Sequence, residues 1–213
     1  MNKTILFDLD GTLTDSGEGI INCVIYALER FGLPIPPRDS LRYFVGPPLR
    51  DSFIKQGVPA DRAEEAVEVY RERYIPIGKF ENTPYPGIRE LLESLKAQNY
   101  TLYVATSKPE QMSIDILEHF DLAKYFDCIC GATMDTSRSN KEAVIAYLIQ
   151  RNGQTDNMIM VGDTKFDVIG AKAHGIPCIG VTWGYGSVEE MQQAGAFAIA
   201  ETMAQLGEML HKF

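Results

Sequence analysis

Cysteine is scarce in this chain: four among 213 residues, at Cys23, Cys128, Cys130 and Cys178. That is too few for a disulfide-stapled fold of this length. Cys128 and Cys130 stand one residue apart, but no second Cys/His pair follows at zinc spacing. The thiols therefore read as reduced, strand-borne small hydrophobes. Also missing is any apolar run near the roughly 18 residues of a membrane span. The run Ile5-Leu6-Phe7 is cut by Asp8, too short for a secretory signal, so the cytoplasm is the expected address. Basic residues are in deficit, 20 Lys and Arg against 29 Asp and Glu, for a formal net charge of −9. Surfaces that track nucleic-acid phosphates or anionic lipid need clustered cations, so neither partner is expected. The three histidines, His119, His174 and His211, fall in or beside helical segments, and none sits in a triad-like motif with Ser or Cys. They read as structural.

What is present is the composition of a folded protein, 45% hydrophobic and 23% charged. The length allows one domain with a subdomain, or two small domains. A short apolar strand is expected over residues 4–7. Ile21, Val24, Ile25 and Leu28 follow at helical spacing within 17–31, and Gly32 with the Pro-rich stretch from Pro34 to Pro37 ends that helix. Helices are expected over 51–56 and 61–74, before the turn signal Pro86-Gly87. Strands at 100–105, 127–130, 158–161 and 177–181 then alternate with helices near 88–95, 110–120, 141–152 and 166–174, and a last helix near 202–211. This rhythm predicts a doubly wound parallel α/β sheet with helices on both faces. The expected division is a core of residues 1–15 and 84–213, interrupted by a small helical cap at 16–83.

Ligands of open parallel sheets bind beyond the carboxyl ends of the strands. The expected strand ends carry Asp8-Leu9-Asp10-Gly11-Thr12, Thr106-Ser107 and Gly162-Asp163-Thr164-Lys165-Phe166-Asp167, and Lys141 opens an intervening helix. Up to four carboxylates, from Asp8, Asp10, Asp163 and Asp167, thus meet at one edge. Crowded carboxylates must take up protons or a cation. Oxygen donors without nearby His or Cys favour Mg²⁺ over zinc. Lys141, the Thr106 hydroxyl and free N–H groups at helix starts suit a phosphate. The chemistry implied is a Mg²⁺-and-phosphate site in which a carboxylate can act as nucleophile. Each motif alone is ordinary turn or cap chemistry; their joint placement is what points to function.

Taken in order, Asp8-x-Asp10-Gly11-Thr12, Thr106, Lys141 and Gly162-Asp163-x-x-x-Asp167 resemble the four motifs of the haloacid dehalogenase superfamily. The resemblance covers essentially the whole chain and is strongest to the phosphoglycolate phosphatase-like branch. It implies that Asp8 attacks phosphorus and that Asp10 is general acid and then base. It also implies Mg²⁺ on the Asp8 carboxylate, the Asp10 carbonyl and Asp163, with Asp167 in or just outside that shell. Thr106 and Lys141 would meet the phosphoryl group, with Thr12 and Ser107 on the substrate side. The expected substrate is a small phosphorylated metabolite, and nothing in the sequence demands more than a monomer.

Other residues carry two readings. Lys108 rivals Lys141 as the phosphate-facing lysine, but Pro109 after it marks a helix entry, which favours Lys141. Arg50 is either a substrate-binding cation of the cap or a surface helix arginine. Lys165, between the two acids of the last motif, reads as a solvated charge or one just behind the ligands. Trp183-Gly184-Tyr185-Gly186 is a substrate-side loop or an ordinary Gly-rich turn. Two other activities compete with phosphoester hydrolysis. Sugar-phosphate mutases of similar type carry a His five residues after the position of Asp15, where this chain has Ile20. A regulatory protein keeping the fold without turnover is the third reading; such proteins usually lose a motif acid, whereas all four are present.

Overall fold

The first strand, β1 (Thr4–Phe7), is buried at all four residues, as a strand covered on both faces must be. The structure, a computed structural model, describes residues 3–135 and 137–213. Met1, Asn2 and Thr136, which fall in the expected core, lie outside the described residues. Two compact units divide the chain: one reaches Thr14 and resumes over Pro84–Phe213, the other is Asp15–Thr83. Two short strands, β2 (Thr14–Asp15) and β3 (Thr83–Pro84), pair with each other at the crossings between them.

The Asp15–Thr83 unit is helical. Helix α1 (Gly17–Arg30) buries Ile20, Ile21, Val24 and Leu28 along one face, the stripe expected of a 3.6-residue period. After α2 (Leu49–Lys55), helix α3 (Ala63–Tyr74) buries Ala63, Ala66, Val67, Tyr70 and Tyr74. Phe44, Phe53, Tyr70 and Tyr74 form a chain of ring contacts with centroids 5.1, 6.4 and 5.1 Å apart. Arg73 closes the unit by gripping Glu81 through two hydrogen bonds of 2.7 and 2.9 Å.

In the other unit helix and strand alternate. The order is α4 (Ile88–Ala97), β4 (Thr101–Pro109), α5 (Glu110–His119), β5 (Cys128–Ala132), α6 (Lys141–Asn152), β6 (Met158–Gly162), α7 (Lys165–Lys172), β7 (Cys178–Val181), α8 (Val188–Ala194), β8 (Ala198–Ala200) and α9 (Met203–Lys212). Among the described residues, six strands form a parallel sheet in the order β5-β4-β1-β6-β7-β8. Side chains of β1 alternate between its two faces: Ile5 and Phe7 enter one apolar core, Leu6 the other. The doubly wound α/β architecture expected from the sequence is therefore present. The strand order reverses between β1 and β6, and a crevice for ligands opens at such a switch point.

Several details differ from expectation, among them the short strands β2 and β3, the earlier start of α2 and the later end of β5. Strand β4 continues to Pro109, beyond the expected end at 105, because after a register shift its pairing with β5 resumes at Pro109 opposite Ala132. Helix α7 ends at Lys172, two residues early. The sequence reading omitted α8 and β8 altogether. Val188–Ala194 buries only Met191, and the three residues of β8 are mostly half-buried, so neither carries a strong periodic signal.

Candidate active site

Asp8 leaves β1 with its N–H still paired to the carbonyl of Val161, 2.9 Å away. Its Oδ1 accepts from the Leu9 N–H at 2.7 Å and lies 2.8 Å from Lys141 Nζ. The following turn depends on Gly11, which holds φ at +81°. A Cβ there would lie 2.2 Å from Asp163 Oδ2, so only glycine lets this turn and the next acid approach so closely. Asp163 follows β6 and is fully buried. It accepts from the Thr12 hydroxyl at 3.2 Å and from the Tyr185 N–H at 2.8 Å.

Asp167 is set by the start of α7. Thr164 and Asp167 form a capping box, in which Asp167 Oδ2 accepts from the Thr164 N–H at 3.0 Å and its hydroxyl at 2.8 Å. Oδ1 faces Lys141 Nζ at 2.7 Å. The structural reading of this acid and the chemical one are thus satisfied by different oxygens. Lys141 is the first residue of α6, whose N-cap Asn140 accepts from the Ala143 N–H at 2.9 Å. Its ammonium meets the Ala105 carbonyl at 2.8 Å together with Asp8 and Asp167. Burial opposes the Lys141 charge, but the carboxylates of Asp167 and Asp8 outweigh it and raise its pKa.

The carboxylates show the opposite strain. Burial pushes Asp8 from 3.8 up to about 7, against the lowering effect of Lys141; Asp167 adds to the rise and the Thr106 hydroxyl opposes it. Burial, then Asp167 and Asp8, also drives Asp163 well above the usual carboxylate range. Ligand oxygens of Asp8, Asp163 and Asp167 lie within 4.8 Å of one another. With all groups charged, three carboxylates face one ammonium, an excess of two negative charges that a divalent cation would neutralise. This all-oxygen, buried donor set fits a hard divalent ion.

Asp10 stands outside that cluster. Its Oδ2 is 2.7 Å from Lys108 Nζ, and its Oδ1 is buried without a hydrogen-bond partner. Sequence reasoning set Lys108 against Lys141; the structure pairs Lys108 with Asp10 and Lys141 with Asp8 and Asp167. The expected strand stopped at 105, and only the longer β4 puts Thr106 and Lys108 two apart on one strand. Thr106 is buried and its hydroxyl accepts from the Lys108 N–H at 3.3 Å. Ser107 is half-buried beside it. Thr12, expected on the substrate side, spends its hydroxyl on Asp163 and is 1% exposed. The loop bearing Tyr185 supports Asp163 through its backbone N–H. Arg50 belongs to the Asp15–Thr83 unit, where its half-exposed guanidinium faces Glu64 at 3.2 Å and Asp51 at 3.7 Å. Lys165 pairs with Glu190 at 2.7 Å on the surface. The four cysteines are free and buried.

Strands β1 and β6 flank the switch point and are followed by Asp8 and Asp163, with the buried Lys141 of α6 against Asp8. Residues 5–181 match the family described as haloacid dehalogenase-like hydrolase, and the chain belongs to it. Among relatives, it is 42% identical to a 5′-nucleotidase from Pseudomonas aeruginosa over 97% of this chain and 94% of that protein. Identity to the tyrosine-protein kinase PtkA of Mycobacterium tuberculosis is 39%, over 98% of this chain and 72% of that one. A phosphoglycolate phosphatase from Agrobacterium fabrum is 32% identical over 88% and 84%. The crystal structure of a predicted phosphatase from Clostridium acetobutylicum superposes with a TM-score of 0.94 at 45% identity, covering both chains completely. The resemblance drawn from the motifs is borne out. No helix among the described residues is long and apolar enough to cross a membrane.

Proposed function

We propose that this chain is a Mg²⁺-dependent phosphatase of small phosphomonoesters, of the 5′-nucleotide or phosphoglycolate type, acting through an aspartyl-phosphate on Asp8. The observation that carries the reading is the buried group of Asp8, Asp163 and Asp167, with Lys141 bridging Asp8 and Asp167. Asp8 and Asp163, with the Asp10 carbonyl, would hold the ion, and Asp167 would hold it directly or stand just outside that shell. Bound there, Mg²⁺ supplies Lewis-acid neutralisation of phosphoryl charge. Asp8 attacks phosphorus, and Lys141 offsets charge on the nucleophile and the transferring group. Thr106 donates to a phosphoryl oxygen once phosphate is present. Asp10 gives a proton to the leaving alcohol, then takes one from the water that hydrolyses the intermediate.

The 5′-nucleotidase and phosphoglycolate phosphatase relatives favour this substrate class. The test is phosphate release from a panel of 5′-nucleotides, phosphoglycolate and sugar phosphates, compared as kcat/KM. Turnover should vanish with chelator and in Asp8→Asn. The kinase name of one relative makes ATP with a protein acceptor the control. A folded, Mg²⁺-loaded enzyme that releases no phosphate from the panel would overturn the reading.

A further inference from the structure

Asp10 and Lys108 form a buried ion pair of 2.7 Å, with side-chain exposures of 16% and 6%. The pair is asymmetric. Oδ2 is held by the ammonium, while Oδ1 is buried with no hydrogen-bond partner. A buried carboxylate oxygen left bare is costly, and such a cost persists where the oxygen has a later partner.

The fold builds this pair with some care. Lys108 lies where β4 slips register against β5, between Ala105 and Pro109, and irregularities of this kind re-aim side chains at sheet ends. The slip is tightly seated. A Cβ on Gly131 of β5 would lie 2.5 Å from the Lys108 carbonyl oxygen and 2.6 Å from Glu110 Cα. Glu110 in turn accepts from the Gly131 N–H at 3.2 Å and from Arg138 at 3.1 Å, and Arg138 also donates to the Gly131 carbonyl at 2.7 Å. The backbone that presents Lys108 is thus clamped from behind.

We infer that Lys108 is a positioning residue for Asp10, restraining Oδ2 so that Oδ1 alone is offered to the reacting oxygens. The inference rests on the phosphatase reading and its acid–base role for Asp10. In the first step the Asp8 oxygen–phosphorus bond forms and the bond from phosphorus to the leaving oxygen breaks. The electron pair stays on the leaving oxygen, which takes the Oδ1 proton. In the second step a water oxygen bonds to phosphorus, its proton passes to Oδ1, and the displaced pair returns to the Asp8 carboxylate. One oxygen serves both halves, so a single restraint on the other serves both.

The test is Lys108→Met, which keeps the apolar stem and removes the ammonium. kcat/KM reports the first step, where an alkyl leaving group needs the proton and p-nitrophenolate does not. The variant should lose about 10–100-fold in kcat/KM on a 5′-nucleotide and about threefold or less on p-nitrophenyl phosphate. Lys108→Arg should recover most of the difference. Equal losses on both esters with a raised KM would make Lys108 a phosphate-binding group and overturn the inference. A crystal structure of metal-free Lys108→Met gives a readout independent of turnover. Asp10 should leave its position while Asp8, Asp163 and Asp167 keep theirs; an unmoved Asp10 would overturn the inference. If the wild type hydrolyses neither ester, the phosphatase reading falls, and that crystal structure still decides what Lys108 does to Asp10.

Discussion

Asp8 carries the conflict on which the site turns: a carboxylate buried beside another acid, with one ammonium to compensate. Burial, with the Asp167 charge adding to it, moves it from 3.8 to about 7 despite Lys141, which is the mark of a group waiting for a further positive charge. Asp8→Asn removes that charge and keeps the shape. It should lower kcat by on the order of 10³–10⁶-fold, as loss of a nucleophile does, without lowering the melting temperature of the metal-free protein. Phosphate release and calorimetry on the same preparation check both halves. A large loss of stability would mean that Asp8 is needed for folding and that the kinetic loss says little about nucleophilicity.

Two elements make predictions of their own. The slip at the end of β4 depends on Gly131, because the atoms a side chain would strike there are backbone. Gly131→Ala should cost about 1–3 kcal/mol, the usual penalty of overpacking, measured by urea unfolding. It should also reduce activity, since the displaced segment bears Lys108. In the helical unit, Arg73 holds Glu81 by two hydrogen bonds, with both side chains mostly buried. The Arg73 hydrogen bonds hold the Glu81 carboxyl below its usual 4.5, against the effect of burial. A lowered carboxyl stabilises the fold fully above 4.5, and this contribution is lost as pH falls through the folded value. Glu81→Gln should therefore cost about 1 kcal/mol at pH 7, with the gap to wild type closing toward pH 3. A constant gap across that range would show that packing, not charge, makes the contact.

For the whole molecule, an ion that binds only the folded chain stabilises it by mass action. At a Mg²⁺ concentration 100 times its Kd the gain is about 2.7 kcal/mol, which for a protein of this size is a rise of roughly 5–10 °C in Tm. Thermal melts with Mg²⁺ and with chelator should differ by that amount, and the difference should disappear in Asp163→Asn. A chain of net charge −9 meets an anionic substrate against its own field. Activity should accordingly depend more steeply on the ion than stability does.

Much of this was legible before any coordinates. Strand-ending acids at Asp8 and Asp163 follow from short apolar runs that stop at polar turns, and the alternation of helix and strand implies the parallel sheet. Asp167 is legible through its spacing from Asp163 in Gly162-Asp163-x-x-x-Asp167, whereas the capping box that it forms with Thr164 is not. These are local matters of period and turn chemistry, which neighbouring residues encode. The partnership of Lys108 with Asp10, the carbonyl of Ala105 under Lys141 and the Tyr185 N–H on Asp163 were not legible. Each joins residues from 22 to 98 positions apart, through a strand order and a slipped register that no local pattern specifies. Local sequence chose which groups would stand at the strand ends. Which acid each lysine serves was decided by packing, because a bond of under 3 Å depends on how β1, β4 and β6 are laid side by side.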